Sequence, residues 1–156
     1  MREFDSIKEL HSLIGQDVAD SDWVLIDQAR INTFADATGD HQWIHVDPER
    51  AARGPFGTPI AHGFLTLSLL PLLTQQAFLI RNTQLGVNYG VNKVRFPAPV
   101  PVGSRIMGRF KLLSIDDIDP VMGVPGAQLV WQATMIREGF DKPVCVAETV
   151  VRRYGS

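Results

Sequence analysis

Apolar residues from Gly63 to Leu79 fall on nearly every side of a helical projection: Phe64, Leu65, Leu67, Leu69, Leu70, Leu72, Leu73, Ala77, Phe78 and Leu79. A helix that is apolar all round must be covered on most sides. Pro71 in its middle removes a donor and clashes with the preceding turn, which predicts a kink or a fresh start there. After this segment the pattern turns strand-like. Stretches 84–96, 104–115, 127–137 and 144–154 are rich in Val, aromatic and other β-favouring residues. Pro97, Pro99, Pro101 and Gly103 punctuate the first gap, Pro120, Gly123, Pro125 and Gly126 the second, and Gly139 lies in the third. This spacing predicts antiparallel neighbours joined by turns.

The first sixty residues are more broken. Ser6-Ile7-Lys8-Glu9 has the capping-box pattern, and Ile7, Leu10, Leu13 and Ile14 follow at helical spacing up to a stop at Gly15. Residues 23–26 read as a short strand. Asp27 caps a helix with Ile31, Phe34 and Ala35 on one face, ending near Thr38-Gly39. Asp47-Pro48 opens another short helix, since Asp caps well and Pro fits the first turn. Residues 53–59 hold two glycines and two prolines and read as loop. The order of elements predicts an α+β fold, with a curved antiparallel sheet wrapped around one long buried helix.

The 156 residues suit a single domain spanning 1–156, and the 45% hydrophobic fraction is enough for a sizeable core. A net charge of −2 without a basic stretch argues against nucleic acid as the partner. The lone Cys145 excludes an internal disulfide and fits a reducing compartment. The apolar run 64–73 is too short to span a bilayer, and the charged N-terminus lacks a signal-peptide core. A soluble, cytoplasmic protein is expected.

Two segments carry the chemistry. In Ala37-Thr38-Gly39-Asp40-His41-Gln42-Trp43-Ile44-His45, a carboxylate (Asp40) and an imidazole (His45) stand five residues apart, past a helix end. Loops on rigid scaffolds often carry function. A carboxylate and an imidazole sharing one water can deprotonate it and return the proton elsewhere. By spacing alone, Asp40 as a turn residue and His45 as a partly buried histidine explain the pattern as well. The second segment, Ile60-Ala61-His62-Gly63, opens the apolar helix, where backbone N–H groups lack intrahelical partners and glycine admits close approach. The Gly63 N–H can meet a developing enolate oxygen; tight packing of the helix start accounts for glycine equally.

His41 reads as a surface residue, since its side chain points away from that of its neighbour. His11 reads as solvated. No Cys/His cluster, G-x-S-x-G elbow or phosphate loop is present, and no metal or cofactor is expected. Lys93 and Arg95 share a strand face that suits substrate phosphates, or simply solvent. Cys145 reads as a small core residue.

Residues 34–70, FADATGDHQWIHVDPERAARGPFGTPIAHGFLTLSLL, resemble the MaoC-like dehydratase family, the (R)-specific enoyl-CoA hydratases. The likeness is greatest to its single-domain bacterial branch, which includes mycobacterial 3-hydroxyacyl-thioester dehydratases and nodulation protein N-like proteins. NYGVNKVRFPAPVPVGS, residues 88–104, is similar to that branch too. The resemblance implies a hot-dog fold and a homodimer. It also implies reversible syn hydration of trans-2-enoyl-CoA to (3R)-3-hydroxyacyl-CoA in fatty acid metabolism. Residue by residue, it puts Asp40 and His45 on the catalytic pair and Gly63 on the oxyanion donor. Under it, Trp43, Phe56, Phe64 and Leu65 are candidates for lining an acyl tunnel, Ile60, Ala61 and His62 for binding substrate, and Asn92, Lys93 and Arg95 for contacting CoA. The departure is Gln42-Trp43, where many hydratases carry Asn-Pro. Two competing classes stay open: a non-catalytic acyl-carrier or acyl-CoA binding module, and a hot-dog thioesterase. Against the thioesterase stands the absence of Asp or Glu between Phe64 and Ile80.

Overall fold

The computed structural model describes residues 1–155. The chain runs β1 (Arg2–Phe4), α1 (Ile7–Leu10), a 3-10 turn (His11–Leu13), β2 (Asp17–Asp20), β3 (Val24–Ile26), α2 (Gln28–Thr38), α3 (Trp43–Val46) and α4 (Pro48–Ala52). It continues through α5 (Gly63–Ser68), α6 (Leu70–Ala77), β4 (Phe78–Ile80), β5 (Thr83–Arg95), β6 (Ser104–Val121), β7 (Val124–Arg137) and β8 (Cys145–Gly155).

The central helical segment and the sheet fit each other by their periods. Leu65, Leu69, Leu73 and Ala77 recur every fourth residue and are all buried, forming one stripe across α5 and α6. Facing it, Ala127, Leu129, Trp131, Ala133 and Met135 alternate along β7 with half-buried neighbours. Ala133, Ala147 and Cys145 keep that face shallow. At Gly108 a Cβ would lie 3.4 Å from that of Leu73 and 3.2 Å from the Phe110 ring, so the glycine lets helix and strand close up. Helix α6 packs on β6 and α5 on β8.

The main sheet has the order β2-β6-β7-β8-β5, antiparallel throughout, with β3 also on the β2 edge of β6. The short β1 pairs parallel with β4 beside it. A curved antiparallel sheet wrapped around a central helical segment is the hot-dog fold that the sequence predicts. No helix among the described residues is long and apolar enough to cross a membrane.

The fresh start expected at Pro71 is present: the segment is two helices, broken at Leu69 where Pro71 enters the second position of α6, and the Leu69 N–H is shared between the carbonyls of Leu65 and Thr66. Other expectations need correction. The apolar surround is incomplete, since Phe64 is 68% exposed. Sequence order does not give sheet order: β5 pairs with β8, the last strand, not with β6. The β6–β7 hairpin runs past Pro120 and Pro125 to a two-residue turn, Met122-Gly123, with both residues at positive φ. A register shift between Ile118 and Val121 absorbs Pro120. The N-terminal capping box is displaced: Glu9 accepts from the Asp5 N–H at 3.2 Å, and Ser6 makes no side-chain cap. Cys145 is a buried core residue of the last strand, as expected, with its thiol pushed up to about 11 by burial.

Leu73 sits at the centre of the helix–sheet contact and is fully buried. Leu73→Ala should cost about 2–5 kcal/mol of unfolding free energy, read from the shift of a urea or guanidinium transition. An unchanged midpoint would contradict this packing.

Candidate active site

Three short pieces of chain build the site, and each has a local reason for its position. Asp27 caps α2 by accepting from the Arg30 N–H at 2.9 Å, and Gly39 ends that helix in the left-handed region at φ 82°. The chain then leaves the helix axis, and the Asp40 main-chain carbonyl meets His62. Helix α3 follows with Gln42 at its N-cap, and Asp47 caps α4 through the Arg50 N–H at 3.0 Å. The third piece, Ile60–His62, is extended and leads into α5 at Gly63. The Ile60 N–H donates to the Ile44 carbonyl at 3.0 Å, and the Ala61 N–H to the Val100 carbonyl at 2.8 Å. This pins the start of α5 against α3 on one side and the chain before β6 on the other.

His45 is held from two directions. Its Nδ1–H donates to the Ile60 carbonyl at 2.6 Å, and its own carbonyl accepts from Gln28 Nε2 at 2.8 Å. Because a carbonyl can only accept, Nδ1 carries the proton, and Nε2 of the neutral ring is free to accept one. Burial holds the His45 pKa below its ordinary value; the Ile60 carbonyl opposes this, neighbouring His62 adds to the lowering, and Asp40 opposes it. At neutral pH the ring is therefore a ready proton acceptor. The side chain of exposed Asp40 accepts from the Gln42 N–H at 3.3 Å.

Folding adds a third group that spacing did not pair with them. His62 stacks on His45 with ring centroids 3.8 Å apart and planes 24° from parallel, and its Nε2–H donates to the Asp40 main-chain carbonyl at 2.9 Å. One polar side-chain atom each of Asp40, His45 and His62 lie within 4.8 Å of one another. Such a trio has the composition of a metal site, which the sequence did not reveal. Its geometry does not suit one. Nearly parallel stacked rings project their nitrogen lone pairs side by side, whereas zinc needs them to converge at about 2.0–2.1 Å. The donor set suits proton transfer.

The remaining candidates divide. Ile60, Ala61 and His62 are buried and belong to the site, but Ile60 and Ala61 act through their main chains. Gly63 opens α5, and a Cβ there would meet the Phe96 ring at 2.9 Å, so only glycine fits beneath Phe96. Phe64 meets Phe96 edge-on at 6.1 Å. Leu65 is core. The Trp43 ring packs on Gly54, where a Cβ would lie 2.8 Å from it, and Arg50 covers it at 4.4 Å. It is a local anchor between α3 and α4, and Phe56 lies exposed in the loop beyond. A groove of about 660 Å³ runs between α5–α6 and β5–β8, lined by Leu67, Tyr89, Val91 and Arg153 among others, and Trp43, Phe56, Phe64 and Leu65 are not in its lining. Asn92 donates to Glu148 at 2.7 Å, and Lys93 and Arg95 are exposed on the same strand. His41 is exposed and pairs with Asp36 at 3.0 Å, as a surface residue should. Gln28, Phe34 and Phe96 were missed. Gln28 and Phe96 come to the site from distant positions, and Phe34, six residues before Asp40, read only as part of the apolar face of α2.

The chain matches the family described as MaoC like domain over residues 9–127. With this fold and site, it belongs to that family. It is 55% identical over 152 residues to the 3-hydroxyacyl-thioester dehydratase Z of Mycobacterium tuberculosis, covering 97% of this chain and 98% of that one. A monoamine oxidase regulatory protein from Archaeoglobus fulgidus superposes with a TM-score of 0.77 at 21% identity, covering 99% of this chain and 97% of that one. The (R)-hydratase from A. caviae involved in PHA biosynthesis gives 0.65 at 25% identity, over 88% and 94%.

The acid limb of the activity profile should report His45. A histidine whose folded-state pKa is depressed is neutral, and usable as a base, above that pKa. The kcat/KM for hydration should thus fall with an apparent pKa below about 6.5. The same linkage adds stability above pH 6.5 that is lost as pH falls through the depressed pKa. An acid limb above 6.5 would rule His45 out as the titrating base.

Proposed function

We propose that this protein is a hydro-lyase that reversibly adds water to a 2-enoyl thioester, giving a 3-hydroxyacyl thioester, in fatty acid metabolism. The observation that carries the proposal is the neutral, buried His45 with Nε2 free, set beside the Asp40 carboxylate at the start of α5. The dehydratase named above, matched end to end, supports the reaction class. The substrate is a trans-2-enoyl-CoA and the product the (3R)-alcohol; the (R)-hydratase likeness supports that hand.

In the hydration direction, Asp40 and His45 hold one water against C3. The pair takes a proton from it as the oxygen bonds to C3. The C2–C3 π electrons move toward the thioester carbonyl, and the resulting enolate oxygen lies at the Gly63 N–H. A proton then passes from the pair to C2 on the same face. The acid–base pair is worth roughly 10²–10⁴-fold, and an oxyanion donor about 10²–10³-fold.

The working unit is a homodimer joined along β5, acting in the cytoplasm. Strand β5 ends the sheet order and leaves a long row of unpaired backbone groups, with Leu85, Val87, Tyr89 and Val91 exposed. A long, apolar, open edge invites a second strand. Beside it, Arg153 Nε is buried without a partner on the neighbouring strand β8. The CoA moiety lies across this junction, with Asn92, Lys93 and Arg95 as its contacts.

Purified protein should consume crotonyl-CoA or a longer 2-enoyl-CoA, seen as loss of enoyl-thioester absorbance, with the (3R) product on chiral analysis. Asp40→Asn and His45→Ala should each lower kcat by about a hundredfold or more. Wild-type turnover in either variant, or a (3S) product, would refute the reading. Release of free thiol instead would identify a thioesterase. In sedimentation, the protein should run as a dimer and a Val87→Lys/Val91→Lys variant as a monomer; a monomeric parent would contradict the β5 junction.

A further inference from the structure

His62 is 2% exposed and touches every part of the site. Its Nε2–H donates to the main-chain carbonyl of Asp40 at 2.9 Å, across 22 residues of sequence. One face of its ring lies on His45 at 3.8 Å. Phe34, from α2, meets the ring at 4.9 Å and 57°. Its own carbonyl accepts from the Thr66 N–H at 3.2 Å, so the residue also forms the first bond of α5, directly before Gly63.

The loop it holds needs holding. Residues 39–42 have no regular structure, and the Asp40 side chain is exposed, with one weak bond to its own loop. The groups facing the His62 ring are Asp40, His45 and apolar Phe34; the nearby His41–Asp36 pair is exposed. A carbonyl partner requires the proton on Nε2, which leaves Nδ1 as a bare acceptor, buried and without a partner.

We propose that His62 is a positioning residue for the acid–base pair: its imidazole ties the Asp40 loop to the start of α5 and backs the His45 ring, fixing the distance between the two groups that share the water. The proposal rests on the reading of Asp40 and His45 as that pair. It also replaces the expectation that His62 contacts substrate. Reacting groups displaced by about 1 Å can lose on the order of 10²-fold in rate, so a loop without its tether should lose kcat rather than affinity.

The test compares His62→Ala, His62→Phe and His62→Gln for hydration of crotonyl-CoA, with thermal unfolding measured on each. Gln places an N–H about as far out as Nε2 and restores the tether without the ring; Phe restores the stack without the tether. Expected are a kcat loss of about 10²-fold in His62→Ala with KM changed by no more than about threefold, and partial recovery in His62→Gln. With His62 gone, one lowering influence on His45 is removed. The acid limb should therefore move up in His62→Ala and His62→Phe. A folded His62→Ala with kcat within about threefold of the parent, or a rise in KM alone, would overturn the proposal. Should the variants unfold, ¹⁵N NMR of the unaltered protein decides: His62 must be the Nε2–H tautomer and His45 the Nδ1–H tautomer, and the opposite tautomer at His62 overturns it. Asp40→Asn and His45→Ala run alongside. If those two stay active the underlying pair is wrong; if they are inactive while His62→Ala is not, only the role of His62 fails.

Discussion

The 2.6 Å bond from His45 Nδ1–H to the Ile60 carbonyl is the contact on which the rest of the site depends. It does three things with one proton. It fixes the tautomer, so that Nε2 faces outward as an acceptor. It fixes the ring plane, so that His62 can stack on it. And it joins α3 to the extended piece that begins α5. Ile60 can accept this bond because its own backbone is held by Ile44 and, through a bridge, by Pro101. A main-chain carbonyl is a good partner here: it has no rotamers to lose and no proton to exchange.

The second half of the chain contributes nothing to the acid–base trio directly, yet it sets where the trio is. The stripe from Leu65 to Ala77 fills the hollow of the sheet, so the helix has one depth and one rotation. Its first residue then arrives at one point, and the residues before it are drawn across α3 and the chain before β6. Pro71 does not weaken this scheme. The break at Leu69 falls inside the stripe, and the four-residue spacing continues across it.

Much of the fold was legible in the sequence because its signals are local. Asp27, Asp47-Pro48 and Gly39 mark helix ends by their own chemistry, and the four long strands announce themselves by composition. The strands β1, β2 and β4 were missed since three or four residues carry too little pattern to stand out. The pairing of β5 with β8 joins residue 83 to residue 155 and is decided by packing, which no window of sequence contains. The site divides the same way. Asp40, His45 and Gly63 were found through a motif, and the motif covers them because they lie close together in the chain. Gln28 holds the His45 carbonyl, Phe34 packs on the His62 ring and Phe96 lies over Gly63, each with an ordinary local setting.

The Gln42-Trp43 pair, the one departure from the common hydratase loop, is settled by its surroundings. Gln42 takes the N-cap of α3, and the Trp43 ring occupies the space over Gly54 beneath Arg50. A side chain at 54 would force the indole at 43 to shift. The two positions, eleven residues apart, therefore behave as a single variable. An ancestor or a designer that exchanges this loop for the Asn-Pro form must also decide what fills the space the indole leaves, and the glycine is then free to become something else. The loop and the turn after α4 form one exchangeable cassette.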